Sequence, residues 1–302
     1  MNLLVEPDGG IAPLLAEIKG AQYTIDTTIF RFDLAEIERA LQAAVTRGVK
    51  VRALVAHTNS DGEKRLRKLE MRLLEHGVTL ARSDDDLVRY HGKMLIVDRK
   101  ALTLMLFNFT RLDTARSRSF AVTAKDPRLV AEASKLFEAD MTRQPYAPDL
   151  NVFVVSPENS RPVLADFIRD ARRQLLIYDP KLSDGMMVRL LQQRAKQGVE
   201  IRILGKVGKR ASGLTAERLH GFRLHARVII RDGERAFLGS QSLRRVELDA
   251  RREVGVVVGD VGVLKQLVSV FEADWAATTA GKQSAKGTAD RNAHAMLTGS
   301  AS

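Results

Sequence analysis

The chain has 302 residues, 45% of them hydrophobic, and a formal net charge of +11. That length holds two domains, or one duplicated unit, around a sizeable core. With no cysteine it has no disulfides and no thiolate metal sites, and the charge argues for a polyanionic partner: nucleic acid, an anionic membrane surface or a phosphate-bearing substrate.

The N-terminal stretch LLVEPDGG reads as a short strand closed by a Pro-Asp-Gly-Gly turn. Its apolar part is too short for a signal peptide, and no run reaches the ~18 apolar residues of a membrane span. The expectation is a soluble, cytoplasmic protein that meets the inner membrane face only peripherally. Ile11 to Ala21 is helix-like, with apolar residues at Ile11, Leu14, Leu15 and Ile18. Thr24 to Phe30 predicts a strand. Leu34 to Thr46 predicts a second amphipathic helix, with Gly48 as a left-handed stop. VKVRALVA predicts the next strand, and Asp61 to His76 a charged helix.

The same order then returns. Pro157 sits 150 residues after Pro7, and Leu164, Ile168 and Ala171 follow Leu14, Ile18 and Ala21 at that offset. Gly198 follows Gly48 likewise. In place of the charged helix the second copy has the shorter GKRASGLTAERLHG. The offset then becomes 134, pairing His225 with His91, Asp232 with Asp98, Arg252 with Arg118, and Asp274 with Asp140. QPYAPD, residues 144–149, has a linker's composition. This divides the chain into an N-terminal half (1–148), a C-terminal half (149–277) and a tail (278–302) whose Ala, Thr, Gly, Ser and Lys predict disorder. Each half reads as α/β, with strands alternating with helices. A duplicated unit tends to pack about a pseudo-twofold axis, as a homodimer would.

The chemistry-bearing stretches are HGKMLIVD, His91 to Asp98, and its copy HARVIIRD, His225 to Asp232. On a strand, residues two apart share a face. That sets His91 beside Lys93 and His225 beside Arg227, an arrangement suited to gripping or attacking a phosphate. Asp232-Gly233 before an apolar run signals a hairpin. With a two-residue turn at Gly233 and Glu234, His225 would face Ser242 and Arg227 would face Ser240. A turn at Arg99 and Lys100 would set His91 against Asn108 and Lys93 against Leu106. The other histidines, His57, His76, His220 and His294, read as structural or solvated.

These residues resemble the phospholipase D superfamily, whose signature is H-x-K-x4-D followed six residues later by G-S-x-N, present twice. The first copy has His91, Lys93, Asp98 and Asn108, with Met105 and Leu106 where Gly and Ser are expected. The second has His225, Asp232, Gly239 and Ser240, with Arg227 for Lys and Ser242 for Asn. RGVKVRALV (47–55) and RREVGVVV (251–258) look like the bacterial phospholipase D and cardiolipin synthase branch.

The resemblance implies two α/β sandwich halves packed as a pseudo-dimer, in a monomeric chain, with the site at their interface. It implies a two-step displacement at a phosphodiester through a phosphohistidine, without metal or other cofactor. His91 would be the nucleophile and His225 the general acid and base, the reverse assignment remaining open. Lys93, Arg227, Asn108, Ser240 and Ser242 would hold the phosphoryl oxygens. Glu253 stands where the family often has a Glu that fixes a histidine tautomer, and its counterpart is Ser119. The alternative for Glu253 is an ion pair with Arg251 or Arg252. Asp98 and Asp232 precede turns and would cap them. The substrate implied is a phospholipid, hydrolysed or transferred. The rival readings are a metal-independent nuclease, which the aromatic content of 5% slightly disfavours, and a non-catalytic phosphate-binding scaffold, suggested by Leu106 and Ser242.

Overall fold

The computed structural model describes residues 1–57, 63–208, 211 and 213–283. The first half runs β1 (Asn2–Glu6), α1 (Ala12–Gly20), β2 (Thr24–Ile29), α2 (Ala35–Thr46), β3 (Lys50–Val55), α3 (Glu63–Glu75), β4 (Thr79–Arg82), β5 (Arg89–Tyr90), β6 (Met94–Val97), β7 (Ala101–Met105), α4 (Arg111–Arg116), β8 (Ser117–Ala124) and α5 (Pro127–Thr142). The second runs β9 (Phe153–Ser156), α6 (Ser160–Arg169), β10 (Gln174–Leu182), α7 (Gly185–Lys196), β11 (Glu200–Val207), β12 (Ala216–Glu217), β13 (Arg223–Leu224), β14 (Val228–Arg231), β15 (Arg235–Gly239), α8 (Arg245–Asp249), β16 (Arg251–Val258) and α9 (Val261–Ala276).

Local sequence explains the main elements. β2 is a β-branched run, TIDTTI, which suits a buried pleated strand. In α2 the buried residues are Ile37, Ala40, Leu41 and Ala44, one face at helical spacing. Gly48 (φ 89°) and Gly198 (φ 87°) adopt the left-handed conformation that stops α2 and α7. The charged helix is described from Glu63; residues 61 and 62 of that expectation lie outside the described residues. In the second half no helix lies between β11 and β12, the counterparts of β3 and β4, among the described residues.

Each half forms the same sheet, ordered β1-β8-β7-β6-β2-β3-β4 and β9-β16-β15-β14-β10-β11-β12. The duplicated α/β architecture expected from the repeat is the one observed. An outer apolar cluster packs α1, α2 and α3 on the first sheet, and another packs α6 and α7 on the second. A third cluster is shared: the inner faces of both sheets with α5 and α9 between them. Phe120 lies 5.7 Å from Tyr178, which meets Phe271 edge-on at 5.0 Å, so aromatic packing crosses from one half to the other. Burying such side chains stabilises by about 1.5–3 kcal/mol each.

Two arginines lock the halves together. Arg118 donates to both carboxylate oxygens of Asp274, at 2.9 and 3.1 Å. Its counterpart Arg252 donates to Asp140 at 3.2 Å and also pairs with Glu158. The repeated Arg and Asp thus pair across the halves rather than within them. β5 and β13 also cross over. β5 adds in parallel to β16 of the second sheet, and β13 adds in parallel to β8 of the first. Nothing in two-residue strands signals this from sequence, because their partners lie in the other half.

The hairpins differ from expectation by one residue. Each turns over three residues, with Asp98 and Arg99, or Asp232 and Gly233, at positive φ. The ladders run Met94↔Leu104 and Val228↔Leu238. Lys93 therefore faces Met105 instead of Leu106, and Arg227 faces Gly239 instead of Ser240. His91 and His225 precede the ladders, so Asn108 and Ser242 are not directly opposite them. The cause is the two aspartates. Asp98 accepts the backbone N–H groups of Gln22, Tyr23 and Thr24, and Asp232 those of Arg172, Arg173 and Gln174. These bonds offset the ~1–2 kcal/mol of a left-handed non-glycine residue. Each Asp pins its hairpin to the start of β2 or β10, a tie between strands rather than a cap on its own turn.

Beyond the expected boundary at 277, Thr278 is buried and residues 279–283 are helical. The remainder of the expected disordered tail, with His294, lies outside the described residues. No helix among the described residues is long and apolar enough to cross a membrane.

Candidate active site

Both histidines hang from the other half. The His91 N–H donates to the Arg252 carbonyl at 2.7 Å, and the His225 N–H to the Arg118 carbonyl at 3.1 Å. The arginines whose side chains lock the interface thus hold the histidines with their backbones. His91 and His225, each 7% exposed, line one cleft of about 400 Å³. Phe30, Asn108, Leu112, Asp113, Arg223 and Arg227 line it with them.

His91 is the more tightly held. Its Nδ1 lies 2.8 Å from Glu253 Oε2, a carboxylate with no solvent exposure. Glu253 therefore grips a histidine of the opposite half, and its other oxygen also pairs with Arg251 at 3.8 Å, the alternative partner expected for it. Lys93 Nζ sits 3.0 Å from His91 Nε2, and Phe30 meets the imidazole edge-on at 4.7 Å. His225 has no such glutamate, because Ser119 occupies the matching position. Its Nδ1 lies 3.2 Å from Asp113 Oδ2, within ion-pair range but outside hydrogen-bond geometry, so this buried nitrogen has no hydrogen-bond partner among the described residues.

The remaining expected residues separate into two groups. Arg227 lines the cleft, donates through Nε to Ser242 Oγ at 3.2 Å and reaches the His225 carbonyl at 3.4 Å. Asn108 lines it too, with its Nδ2 donating to Asp113 at 2.7 Å. Ser240 departs from its expected phosphate contact. Its hydroxyl accepts the Val254 N–H at 3.0 Å and ties β15 to β16.

Asp113, Glu247 and Arg223 escape a motif-based reading. An offset of 134 pairs Asp113 with Glu247, each five residues after the Asn108 or Ser242 position. That recurrence is the signal that marks them.

Burial dominates the protonation states. It pushes His91 well below the usual histidine range, helped by Lys93, Arg227 and His225. His225 falls to about 4, through burial working against the pull of Asp113. Burial also lowers Lys93 to about 7, opposed by Glu253, and raises Glu253. For Asp113 burial works upward, but contacts with His225 and Asn108 outweigh it and hold the carboxyl below its usual range. The site therefore presents two neutral imidazoles at pH 7, backed by Glu253 and Asp113 and faced by Arg227 and by Lys93, which is about half charged there. That set can supply a nitrogen nucleophile, a proton carrier and charge stabilisation.

Two copies of one α/β unit, sharing a histidine-lined cleft at their seam, define a phospholipase D-like architecture. The family model described as cardiolipin synthase, PLD-like domain, matches residues 14–141 and 164–275, and the chain belongs to that family. It is similar to the mitochondrial cardiolipin hydrolase of Mus musculus, 27% identical over 135 residues, 45% of this chain and 59% of that protein. In fold it is similar to the polyphosphate kinase of Porphyromonas gingivalis (TM-score 0.74, 19% identity, 90% of this chain, 49% of that one). It is likewise similar to the phosphatidylserine synthase of Haemophilus influenzae Rd KW20 (TM-score 0.63, 12% identity, 89% and 84% covered).

Proposed function

We propose that the protein is a phospholipase D-type phosphodiesterase that hydrolyses or transfers the phosphatidyl group of a phospholipid through a phosphohistidine. The observation that carries this is the shared cleft, with one imidazole from each half and a carboxylate behind each ring. Glu253 fixes the His91 proton on Nδ1 and leaves the Nε2 lone pair for attack. In the first step His91 Nε2 bonds to phosphorus, the bond to the leaving oxygen breaks, and His225, in its imidazolium form, gives that oxygen the proton from its Nε2. In the second, His225 takes a proton from water or an acceptor alcohol, whose oxygen displaces His91 from phosphorus. Lys93, Arg227 and the second Asn108 amide hydrogen stabilise charge on the phosphoryl oxygens, and a bound phosphate would draw Lys93 away from Nε2.

A lipid substrate is supported by apolar residues among the arginines of the cleft: Phe32, Leu66, Pro180 and Leu112, the last 49% exposed. Basic residues near an anionic bilayer add about 1 kcal/mol each to peripheral docking.

The test incubates the protein with anionic phospholipid vesicles or single-stranded DNA and follows release of head group or nucleotides, with His91→Ala and His225→Ala alongside. The expected result is lipid turnover that both substitutions remove. DNA cleavage with inert vesicles would replace the lipid reading by the nuclease one. Inertness on both, with phosphate binding retained, would leave a scaffold.

A further inference from the structure

The two halves treat their histidines differently. In the second half Glu253, on β16, holds the histidine of the first. The matching residue on β8 is Ser119, whose buried hydroxyl has no hydrogen-bond partner among the described residues. Asp113 approaches His225 from another element, α4.

Asp113 and Glu247 share one task. Each caps the loop five residues upstream: Asp113 accepts the Asn108 N–H at 2.9 Å, and Glu247 the Ser242 N–H at 2.6 Å. Beyond that they diverge. The other oxygen of Glu247 is taken by Arg244 at 2.7 Å and Arg251 at 3.3 Å. Asp113 instead turns one oxygen to Arg223 at 2.6 Å and the other toward His225 at 3.2 Å. Arg223 stands two residues before His225, and its guanidinium pairs with the carboxylate.

We infer that Asp113 is the positioning residue for His225, holding the ring with its proton on Nδ1 so that Nε2 faces the cleft. It takes over the task that Ser119 leaves undone, and it links His225 to Asn108 across the seam. The inference rests on the histidine mechanism proposed above. It adds that the proton carrier is oriented by a residue outside the repeated histidine motif.

The test is Asp113→Asn, compared with Glu247→Gln. With its oxygen kept on Arg223, Asn puts its NH2 where Oδ2 stood, which gives up the Asn108 bonds and can offer His225 an N–H that reverses the tautomer. With 15N-histidine labelling, long-range 15N–1H correlation is expected to show Nδ1–H at His225 in the wild type and Nε2–H in Asp113→Asn. His91 stays unchanged, and Glu247→Gln moves neither ring. With a p-nitrophenyl phosphodiester, whose leaving group needs little help from an acid, Asp113→Asn is expected to release the first p-nitrophenolate within a few-fold of wild type. Steady turnover falls about 10²-fold, the smaller end of general acid–base effects. A wild-type spectrum with the proton on His225 Nε2 would overturn the inference, even were Asp113→Asn not to fold. An unchanged His225 tautomer in the folded variant would overturn it too. The spectra read His225 independently of turnover, so a failure of the phosphohistidine mechanism appears separately, as no burst in the wild type.

Discussion

The N-terminal half brings Lys93, Asn108 and Asp113 to the seam, and the C-terminal half brings Arg227, Ser242, Glu247 and Glu253. Behind these residues the halves agree closely. Asp98 and Asp232 each take three backbone N–H groups, and Arg118 and Arg252 each cross to an aspartate of the other half. The repeat has kept what positions the histidines and varied what touches them. A symmetric frame holds two rings that need different protonation tasks, and the asymmetry lies in the side chains around the rings.

The largest expected effect is on the chemistry that the asymmetry assigns. His91→Ala is expected to lower turnover at least about 10⁴-fold, as loss of a covalent nucleophile does. His225→Ala is expected to spare the first step with an activated leaving group. Equal burst loss in both, measured by stopped-flow, would contradict distinct roles.

The frame should respond symmetrically. Arg118→Ala leaves buried Asp274 without its guanidinium and with the Tyr178 hydroxyl as a donor, and Arg252→Ala leaves Asp140 buried without its guanidinium. Each is expected to cost about 3–5 kcal/mol, the range for breaking a buried pair, read from urea midpoints at unchanged slope. A large loss for one and none for the other would show that the crossed pairs are not equivalent.

Arg227 and Ser242 form a matched departure from Lys93 and Asn108. The shorter Ser242 leaves room for the longer Arg227, whose Nε it accepts. Arg227→Lys and Ser242→Asn are each expected to cost about 10–10²-fold in kcat/KM, below the ~10²–10³ of a lost transition-state donor. The double variant should recover most of it, a coupling of about 1–3 kcal/mol. Additive losses would break the pairing.

A further effect is on pH. His91 must be neutral to attack, which its lowered pKa allows well into acid. His225 must be protonated to act as acid, and Lys93 must be charged, yet these groups sit at about 4 and about 7. Both requirements fail as pH rises, so kcat/KM is expected to decline from pH 6 to 8. A profile rising over that interval would contradict these assignments.

Much of this was legible in the chain. The 150 and 134 offsets carried the duplication, and spacing placed His91 beside Lys93. Glu253 was legible through family resemblance, although its counterpart Ser119 gave no hint of how His225 is held. Asp113 was not legible because it belongs to no strand with a period, and its partner lies more than a hundred residues away. The hairpin register was missed because Asp98 and Asp232 bind strands upstream of them, which no turn rule counts. β5 and β13 were missed because their pairing is between halves.

The central claim is that two imidazoles act on one phosphorus. Its most direct test is to quench His225→Ala with a p-nitrophenyl phosphodiester under alkaline conditions that preserve phosphohistidine, and to locate the modification by mass spectrometry. The account predicts the phosphodiester adduct on His91, absent from His91→Ala. An adduct on another residue, or none while the burst persists, would contradict it.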